Sequence, residues 1–503
     1  MTESELLMEY DISSYGIPAT VAILRKSNEF VDIYELRHAK LKEATKVALD
    51  LLKQRVVENV PIKLSELLDP READKIKQRV SEKARELVKQ EFGELLPREE
   101  DILVGKLVQQ MLGLGDVELL LADENLEEIV INSAQESVWV YHKKFGWLKT
   151  NVSLASEEQI LNYSSIIARK VGKQITNLNP LMDAHLLSGD RVNATLFPIS
   201  TKGHSITIRK FAKDPWTLVS LINNNTLNLK VAALCWLAMQ YELNILIGGG
   251  TASGKTSILN AILAFTPPNQ RVISMEDTRE LVLQDFLHWT PMATRQPNPE
   301  GKGGVDLLDL MVNSLRMRPD RIVLGEIRRQ SEAEVLFEAM HTGHAVYSTI
   351  HADDAQQVKN RLTNPPINLP ESMLGALHLI LVQYRQRRSG FRRTFEVAEV
   401  VPQGKGVNFN VVYRWDASQD KLVETGALKQ VMEYLSLHTG WTDKEIKEDL
   451  NGKEEILASL GKHKIFKIEE VGRVSAEYYR DPQVVLDVVK KDKGFQEMLG
   501  NAK

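Results

Sequence analysis

Hydrophobic and polar positions follow different periods along the chain, and the changes of period divide it into segments. Between residues 32 and 93, leucine and valine recur every three or four positions among lysine and glutamate, which predicts helices with solvated charged faces. We therefore assign residues 1–97 to an N-terminal helical segment. Further on, stretches such as LEEIVINSAQESVWVYHKKFGWL alternate apolar and polar residues, which predicts strands joined by turns. Residues 98–211 are expected to form a mixed α/β domain.

A different pattern begins after residue 211. Residues 212–227 carry a proline and a run of asparagines, which is typical of a linker. Short apolar strands then alternate with helices: LNILIGG, RVISMED, RIVLGEI, AVYSTIHA and LILVQ. This alternation predicts a parallel sheet covered on both faces, with ligands bound at the carboxyl ends of the strands. We assign residues 228–400 to this domain and residues 401–503 to a mainly helical C-terminal extension.

The composition excludes several classes of protein. The chain has 503 residues, 43% of them hydrophobic and 26% charged, which indicates a globular protein of several domains. Its longest apolar run, VAALCWLAM, is too short to span a membrane, and its acidic N-terminus does not resemble a signal peptide, so we expect a cytoplasmic protein. The single cysteine, Cys235, excludes an internal disulfide. A net charge of −5 argues against a surface that tracks nucleic acid throughout.

The sequence GGTASGKT has the spacing of a phosphate-binding loop. It follows the strand LNILI and opens the helix SILNAILAF, which is the setting that such a loop requires. Backbone N–H groups would surround the phosphates, Lys255 would neutralise them, and the Thr256 hydroxyl would ligate Mg²⁺. The alternative is a glycine-rich turn that binds nothing. The residues assigned to ATP are Gly249, Gly250, Thr251, Ala252, Ser253, Gly254, Lys255, Thr256 and Ser257.

Acidic and basic residues at other strand ends supply the candidate catalytic groups. Glu276, with Asp277, and Glu326 end predicted strands, so they are expected to converge on the loop. One would orient the attacking water and the other would hold magnesium, directly or through water. Arg191 and Arg209, in the preceding domain, are candidates for stabilising charge on the transferring phosphoryl group. The alternatives are acids that cap helices and arginines that lie on strand surfaces.

Four ordered motifs resemble the secretion ATPase superfamily, the motors of type II secretion, type IV pili, tight-adherence pili and the archaellum. They are GGTASGKT, the acidic box SMEDTREL, the stretch LRMRPDRIVLGEIR and the histidine box GHAVYSTIHADDA. The resemblance covers about residues 98–400, and the flanking sequence is similar to the tight-adherence and archaeal branches. The chain departs from the pattern by lacking a tetracysteine zinc module. It also carries Arg329 where many relatives have a small residue.

The resemblance implies a fold, a reaction and a set of partners. The fold would be α/β: a RecA-like P-loop motor domain with a PAS-like α/β N-terminal domain and helical N- and C-terminal extensions. The protein would be a homohexameric ATPase that uses ATP and Mg²⁺, lies peripherally on the cytoplasmic face of the membrane and binds a polytopic inner-membrane platform protein. It would act on pilin-like subunits indirectly, and no nucleic acid is expected. Position by position, Glu326 would be the catalytic acid, Glu276 its partner and magnesium ligand, and Arg191 and Arg209 would reach the nucleotide across a domain or subunit boundary.

Two histidines flank the strand of the histidine box. His344 and His351 are seven residues apart, and an odd separation sends side chains to opposite faces of an ideal strand, which disfavours a metal shared with nearby His341. The resemblance implies instead that His351 reports the state of the γ-phosphate. Capped strand ends are the structural alternative.

Three further features leave alternatives open. Residues 384–393, YRQRRSGFRR, are interpreted as a solvated hairpin tip, with contact to acidic partner loops or lipid headgroups as the alternative and no catalytic role. Arg316 and Arg318 are expected to complement a helix dipole. For the whole protein, the rival functions are a DNA-transfer translocase of the same superfamily and a nucleotide-gated scaffold that barely hydrolyses ATP.

Overall fold

The chain folds into two compact units that divide after residue 212. The computed structural model describes residues 4–39, 41–60, 72–186, 189–211, 214–297, 301–386, 388, 390–404, 406–492 and 494–499. Each unit is built around a nine-stranded sheet.

The first unit has a mostly antiparallel sheet. Its strands lie in the order β1-β2-β3-β6-β5-β4-β9-β8-β7, and only the β3–β6 pair is parallel. Alternate residues of the strands are buried, as the alternation in the sequence predicts. The strands are β1 Ser4–Ser14, β2 Ile17–Lys26, β3 Ile33–His38, β4 Leu126–Ile131, β5 Ser137–His142, β6 Gly146–Ser153, β7 Leu181–His185, β8 Arg191–Thr195 and β9 Ser205–Arg209.

The assignment of residues 1–97 to a helical segment is wrong for its first part. Residues 4–38 form three strands that extend the sheet, because a hairpin turn with positive φ at Tyr15 and Gly16 pairs β1 with β2. The expected helices follow, and part of the segment, residues 61–71, lies outside the described residues. The helices of this unit are α1 Glu43–Asn59, α2 Ala73–Phe92, α3 Pro97–Leu112, α4 Val117–Ala122 and α5 Glu157–Lys170.

The helices of the first unit serve two separate cores. The apolar faces of α1, α2 and α3 pack on one another through side chains such as Leu52 and Val80. Helices α4 and α5 instead pack on the sheet, where Leu120 and Ile160 are fully buried. The mixed α/β composition expected for residues 98–211 is confirmed.

The second unit contains the parallel sheet that the strand–helix alternation predicts. The order is β12-β11-β13-β14-β10-β15-β16-β17-β18; the first six strands are parallel and the last three extend the sheet in antiparallel fashion. The central strands are buried along their length, as expected where helices cover both faces. They are β10 Ile245–Gly249, β11 Val272–Glu276, β12 Trp289–Ala293, β13 Arg321–Leu324, β14 Ala345–Ile350, β15 Leu379–Arg385, β16 Arg392–Gln403, β17 Gly406–Asp416 and β18 Lys421–Glu424.

The expected boundary at residue 400, between the parallel-sheet domain and the helical extension, is wrong. The sheet continues past residue 400, because β16 crosses that point and pairs with β17, so the helical extension begins only at Gln430. The helices are α6 Leu218–Asn223, α7 Leu229–Gln240, α8 Lys255–Leu263, α9 Leu307–Ser314, α10 Gln330–His341, α11 Ala355–Thr363, α12 Gln430–Thr439, α13 Asp443–Lys462, α14 Ile468–Arg480, α15 Pro482–Lys490 and α16 Gln496–Leu499, with a 3₁₀ helix at Glu371–Ala376.

The segment predicted as a linker, residues 212–227, is largely part of this second unit. Thr217 caps α6 and its hydroxyl donates to the Phe466 carbonyl at 3.1 Å, while Leu218 and Val219 are buried in the main core. Apolar residues among the asparagines therefore pack instead of spanning a gap. Residues 212 and 213 lie outside the described residues.

A buried cation links the C-terminal helices to the core of the second unit. The side chain of Lys453, on α13, is fully buried, contacts Asp449 and lies 3.4 Å from the Tyr478 hydroxyl. Its ammonium also lies 5.7 Å from the centroid of the Trp236 ring. Burial lowers the pKa of Lys453 to about 8, and the Asp449 carboxylate opposes that shift.

Within the described residues, no helix is both long enough and apolar enough to cross a membrane.

We expect Asp449→Asn to destabilise the protein strongly. Removing the carboxylate leaves a buried ammonium without its counter-charge, which typically lowers the free energy of unfolding by about 3–5 kcal/mol. The control is Asp492→Asn, which breaks the exposed pair with Lys462 and should leave the free energy of unfolding almost unchanged, because solvent screens that pair. Urea unfolding of the two variants and of the wild type measures this difference. Equal effects of the two substitutions would contradict it.

Candidate functional site

The phosphate-binding loop joins the central strand β10 to helix α8. Two of its glycines have positive φ, +151° at Gly249 and +97° at Gly254, where α8 begins. A Cβ atom at Gly249 would lie 2.4 Å from the Ser253 hydroxyl and 2.7 Å from the Gln383 carbonyl, so only glycine fits there. The sequence pattern therefore adopts the strand–loop–helix geometry that it predicts.

The polar groups of the loop bond to one another. The Lys255 ammonium donates to the carbonyls of Gly249 and Gly250 at 2.9 and 3.0 Å, and the Ser253 hydroxyl donates to Gly250 at 2.8 Å. Burial lowers the pKa of Lys255, although nearby carboxylates oppose the shift. Thr251 and Ala252 are exposed at the mouth of the loop. A bound anion would give the lysine a stronger partner than these carbonyls.

Glu276 and Glu326 lie at the ends of neighbouring strands in the sheet. Met275 pairs with Leu324 in the parallel β11–β13 ladder, so Glu276 lies beside Gly325, the residue before Glu326. A Cβ at Gly325 would lie 3.4 Å from the Glu276 Cγ atom, which shows how closely the two strand ends approach. The two strand ends that carry the acids therefore lie side by side in the sheet.

Glu276 is buried in an environment that disfavours its charge. One oxygen, Oε1, accepts the backbone N–H groups of Glu280 and Leu281 at 2.9 and 3.2 Å, and the other, Oε2, is buried without a hydrogen-bond partner. Burial raises the pKa of Glu276 to about 7, and the two backbone donors oppose that shift. A buried carboxylate oxygen without a partner is suited to a cation or a bound water.

Glu326 connects to the loop through His351. Glu326 Oε1 lies 2.8 Å from His351 Nε2, and His351 Nδ1 lies 3.5 Å from the Lys255 ammonium. The Glu326–His351 contact lacks hydrogen-bond angles, so this buried oxygen, like that of Glu276, has no hydrogen-bond partner among the described residues. Burial and the charge of Lys255 lower the pKa of His351, which favours the neutral imidazole at pH 7.

Arg328 is a member of the site that the sequence analysis missed. Its guanidinium contacts the other oxygen of Glu326 at 2.8 Å and also contacts Asp277. It therefore holds the Glu326 carboxylate from the side opposite His351. The two arginines in GEIRR are the sequence signal that could have identified it. The second of them, Arg329, lies at the start of α10, where its backbone N–H donates to Glu332 at 3.0 Å.

The two other histidines discussed with the histidine box, His341 and His344, lie at the far end of β14. His344 Nδ1 contacts the Ala339 carbonyl at 3.3 Å, and His341 Nε2 contacts the Met373 carbonyl at 3.2 Å. The strand Ala345–Ile350 separates both from His351. In the part of the chain that the structure describes, no three histidine, cysteine or acidic side chains are grouped to hold a metal.

The first unit brings its two candidate arginines together. Arg191 and Arg209 are direct partners across the β8–β9 ladder. Arg191 forms a two-bonded pair with Asp183 on β7, with distances of 3.0 and 2.6 Å, and both arginines remain exposed to solvent. The strand-surface interpretation and a role toward a ligand are therefore both compatible with this unit taken by itself.

The site fits a magnesium ion held mainly by a nucleotide. Mg²⁺ usually takes one or two protein oxygens and completes its shell with phosphates and waters. The half-buried Thr256, at the start of α8, and the unpartnered oxygen of Glu276 supply oxygens of this kind. Thr256 would ligate the ion, and Glu276 would hold it directly or through water.

Comparison with known proteins places this site in a recognised family. The family model described as Type II/IV secretion system protein matches residues 117–389. Protein MJ0900 of Methanocaldococcus jannaschii is 35% identical over 394 residues, which are 76% of this chain and 71% of the relative.

Two bacterial relatives carry more specific names. The type IV secretion system protein PtlH of Bordetella pertussis is 30% identical over 307 residues, which are 54% of this chain and 89% of PtlH. A Mycobacterium tuberculosis protein named for conjugal transfer is 29% identical over 339 residues, which are 65% of this chain and 95% of that protein. The region that the family model matches, residues 117–389, contains the loop, both acids and His351.

We expect Glu276→Gln to change how stability depends on pH. A carboxyl whose folded pKa is raised from 4.5 to about 7 contributes stability that is fully present below pH 4.5 and is lost as the pH rises through 7. Glutamine does not titrate, so relative to wild type the variant should gain about 1–3 kcal/mol in free energy of unfolding between pH 5 and pH 8. Unfolding in magnesium-free buffer measures this gain.

The control for that experiment is Glu338→Gln, which neutralises an exposed acid on α10. Its stability should run parallel to that of the wild type across the pH range. A parallel profile for Glu276→Gln as well would mean that Glu276 has an ordinary pKa in the folded protein.

Proposed function

The chain belongs to the Type II/IV secretion system protein family, and we propose that it is an ATPase coupling Mg-ATP hydrolysis to filament assembly or protein export. The observation that carries this proposal is the chain of contacts from the phosphate-binding loop through Lys255 and His351 to Glu326. These contacts link Lys255, the group that would bind phosphate, to Glu326, the group that would activate water.

Nucleotide binding would rearrange the loop. ATP phosphates would draw the Lys255 ammonium away from the Gly249 and Gly250 carbonyls, because a phosphate oxygen is a stronger acceptor. Backbone N–H groups of residues 251–256, at the N-terminus of α8, would complete the cradle. Bound magnesium would supply charge neutralisation at the phosphates.

Hydrolysis would depend on Glu326. Arg328 contacts Oε2 of the carboxylate and His351 lies 2.8 Å from Oε1, so both oxygens are held in place. Oε1, which has no hydrogen-bond partner among the described residues, would accept a proton from the attacking water. His351 touches both Lys255 and Glu326, so loss of the γ-phosphate would be felt at both contacts. Through these two contacts His351 would report the nucleotide state.

The assembly that we propose follows from family membership. The protein would form a homohexamer on the cytoplasmic face of the membrane, bound peripherally to a polytopic platform protein and acting on pilin-like subunits through it. Arg191 and Arg209 would stabilise phosphate charge during hydrolysis. A second candidate, DNA transfer, is favoured by the relative named for conjugal transfer.

Glu326→Gln should abolish hydrolysis while leaving ATP binding intact. Loss of the proton acceptor is expected to lower kcat by at least about a hundredfold, with little change in ATP affinity, because Glu326 does not belong to the phosphate cradle. Steady-state ATPase assays and nucleotide titrations with Mg²⁺ measure the two quantities. Glu338→Gln, an exposed acid on α10, is the matched control.

The same assay separates the rival functions. It is run with anionic vesicles, with DNA and with neither, while the oligomeric mass is recorded. Vesicle-stimulated turnover in a hexamer supports the membrane motor, and DNA-stimulated turnover supports the translocase. ATP binding without turnover under all these conditions would point to a nucleotide-gated scaffold, and turnover that survives Glu326→Gln would remove Glu326 as the base.

Arg191→Ala tests the proposed role of the arginines. If the guanidinium stabilises charge only during hydrolysis, kcat should fall by more than about tenfold while the Kd for ATP stays unchanged. Lys202→Ala is the control, since Lys202 is an exposed cation of the same unit, paired with Glu136 at 3.0 Å. Equal kinetics of the two variants would leave Arg191 with its structural pair to Asp183 alone.

A further inference from the structure

The stretch YRQRRSGFRR contains a residue that contacts the phosphate-binding loop. Arg392, the first residue of β16, donates from its Nε atom to the Ala252 carbonyl at 3.0 Å. The contact follows from the order of the sheet, because β16 pairs with β15 and β15 pairs with β10, which leads into the loop. The sequence analysis assigned no catalytic role to this stretch, and the structure places one of its residues, Arg392, in contact with the loop.

The side chain of Arg392 lies along the second half of the loop. A Cβ atom at Gly254 would lie 3.5 Å from the Arg392 Cδ atom, so the stem passes Gly254 while the guanidinium reaches Ala252. Its positive charge therefore lies beside the backbone that opens α8. This is the part of such a loop that faces phosphate.

The carbonyl that accepts this hydrogen bond belongs to a residue with a constrained backbone conformation. Ala252 has a φ of +58°, a conformation that residues with a side chain rarely adopt. In a trans peptide the C=O and N–H groups point in opposite directions. A donor that holds the Ala252 carbonyl therefore also fixes the direction of the Ser253 N–H, which now makes only a long 3.4 Å bond to the Gly250 carbonyl.

The neighbouring arginine explains why Arg392 is held in place. Arg393 is buried and forms two 2.7 Å bonds to Asp420, and its guanidinium lies 4.7 Å from the centroid of the Phe391 ring. Trp415 also donates to Asp420 at 3.0 Å. Successive residues of a strand point to opposite faces, so anchoring Arg393 in the sheet directs Arg392 toward the loop.

We propose that Arg392 is a positioning residue for nucleotide binding, which acts through the Ala252 carbonyl to orient the Ser253 N–H toward the polyphosphate. The inference rests on the proposed function, since it assumes that the loop binds ATP. Arg392 recognises neither base nor sugar in this scheme. Its contribution is therefore the same for any ligand that places a polyphosphate, such as that of ADP or inorganic tripolyphosphate, in the loop.

Arg392→Ala should weaken polyphosphate binding as a class. We expect the Kd for a fluorescent ADP derivative, and the competition constant of inorganic tripolyphosphate against it, to rise by the same factor of about ten. Arg392→Lys should recover part of the affinity, because an ammonium donates but lacks the fixed geometry of the guanidinium. The melting temperature without nucleotide should stay close to that of the wild type.

Arg388→Ala is the matched control, because Arg388 lies exposed in the same turn. It should bind both ligands like the wild type. If Arg392→Ala does not fold, Arg392→Gln, which keeps an amide donor, is measured in its place. Unchanged affinity for both ligands, or weaker ADP binding with unchanged tripolyphosphate competition, overturns the inference while leaving the proposed function standing. Absence of nucleotide binding by the wild type overturns both.

Discussion

The register of the parallel sheet is the constraint on which the site depends. Gly248 pairs with Ile350 across β10 and β14, so the loop begins at the level where His351 leaves the sheet. Met275 pairs with Leu324 across β11 and β13, which brings Glu276 beside the residue before Glu326. A slip of one residue in either ladder would turn these side chains to the other face and separate the groups.

The groups assembled at this edge share an electrostatic property. Burial raises the pKa of Glu276 and lowers the pKa values of Lys255 and His351, so each shift favours the neutral form. Desolvated charges with incomplete partners are poorly stabilised by the protein alone. A ligand that brings both a cation and phosphates would supply the missing partners, which is the physical basis of the affinity that we propose for a metal-bound nucleotide.

The outer part of the second unit supports this edge from a distance. The buried carboxylate of Glu399, on β16, accepts backbone N–H groups of Lys429 and Val431 at 2.9 and 3.1 Å, which ties the start of the C-terminal helices to the sheet. Further along, Lys453, which pairs with Asp449 on the same helix, contacts the core through its ammonium, 5.7 Å from the centroid of the Trp236 ring. The same strand that carries Glu399 begins at Arg392, so the helical extension and the loop are attached to one element.

The sequence by itself determined the parts of this protein that local spacing encodes. A strand, a glycine loop and a helix in succession identify the phosphate site, and acids at strand ends identify Glu276 and Glu326, because parallel strands end at a common edge. The strands within residues 4–38 and 401–424, the packing of the supposed linker, and the contacts of Arg328 and Arg392 were decided only by tertiary structure. The linker packing and the two arginine contacts join residues far apart in the chain, such as Thr217 with Phe466 and Arg392 with Ala252, and such pairing leaves no periodic signal in the sequence.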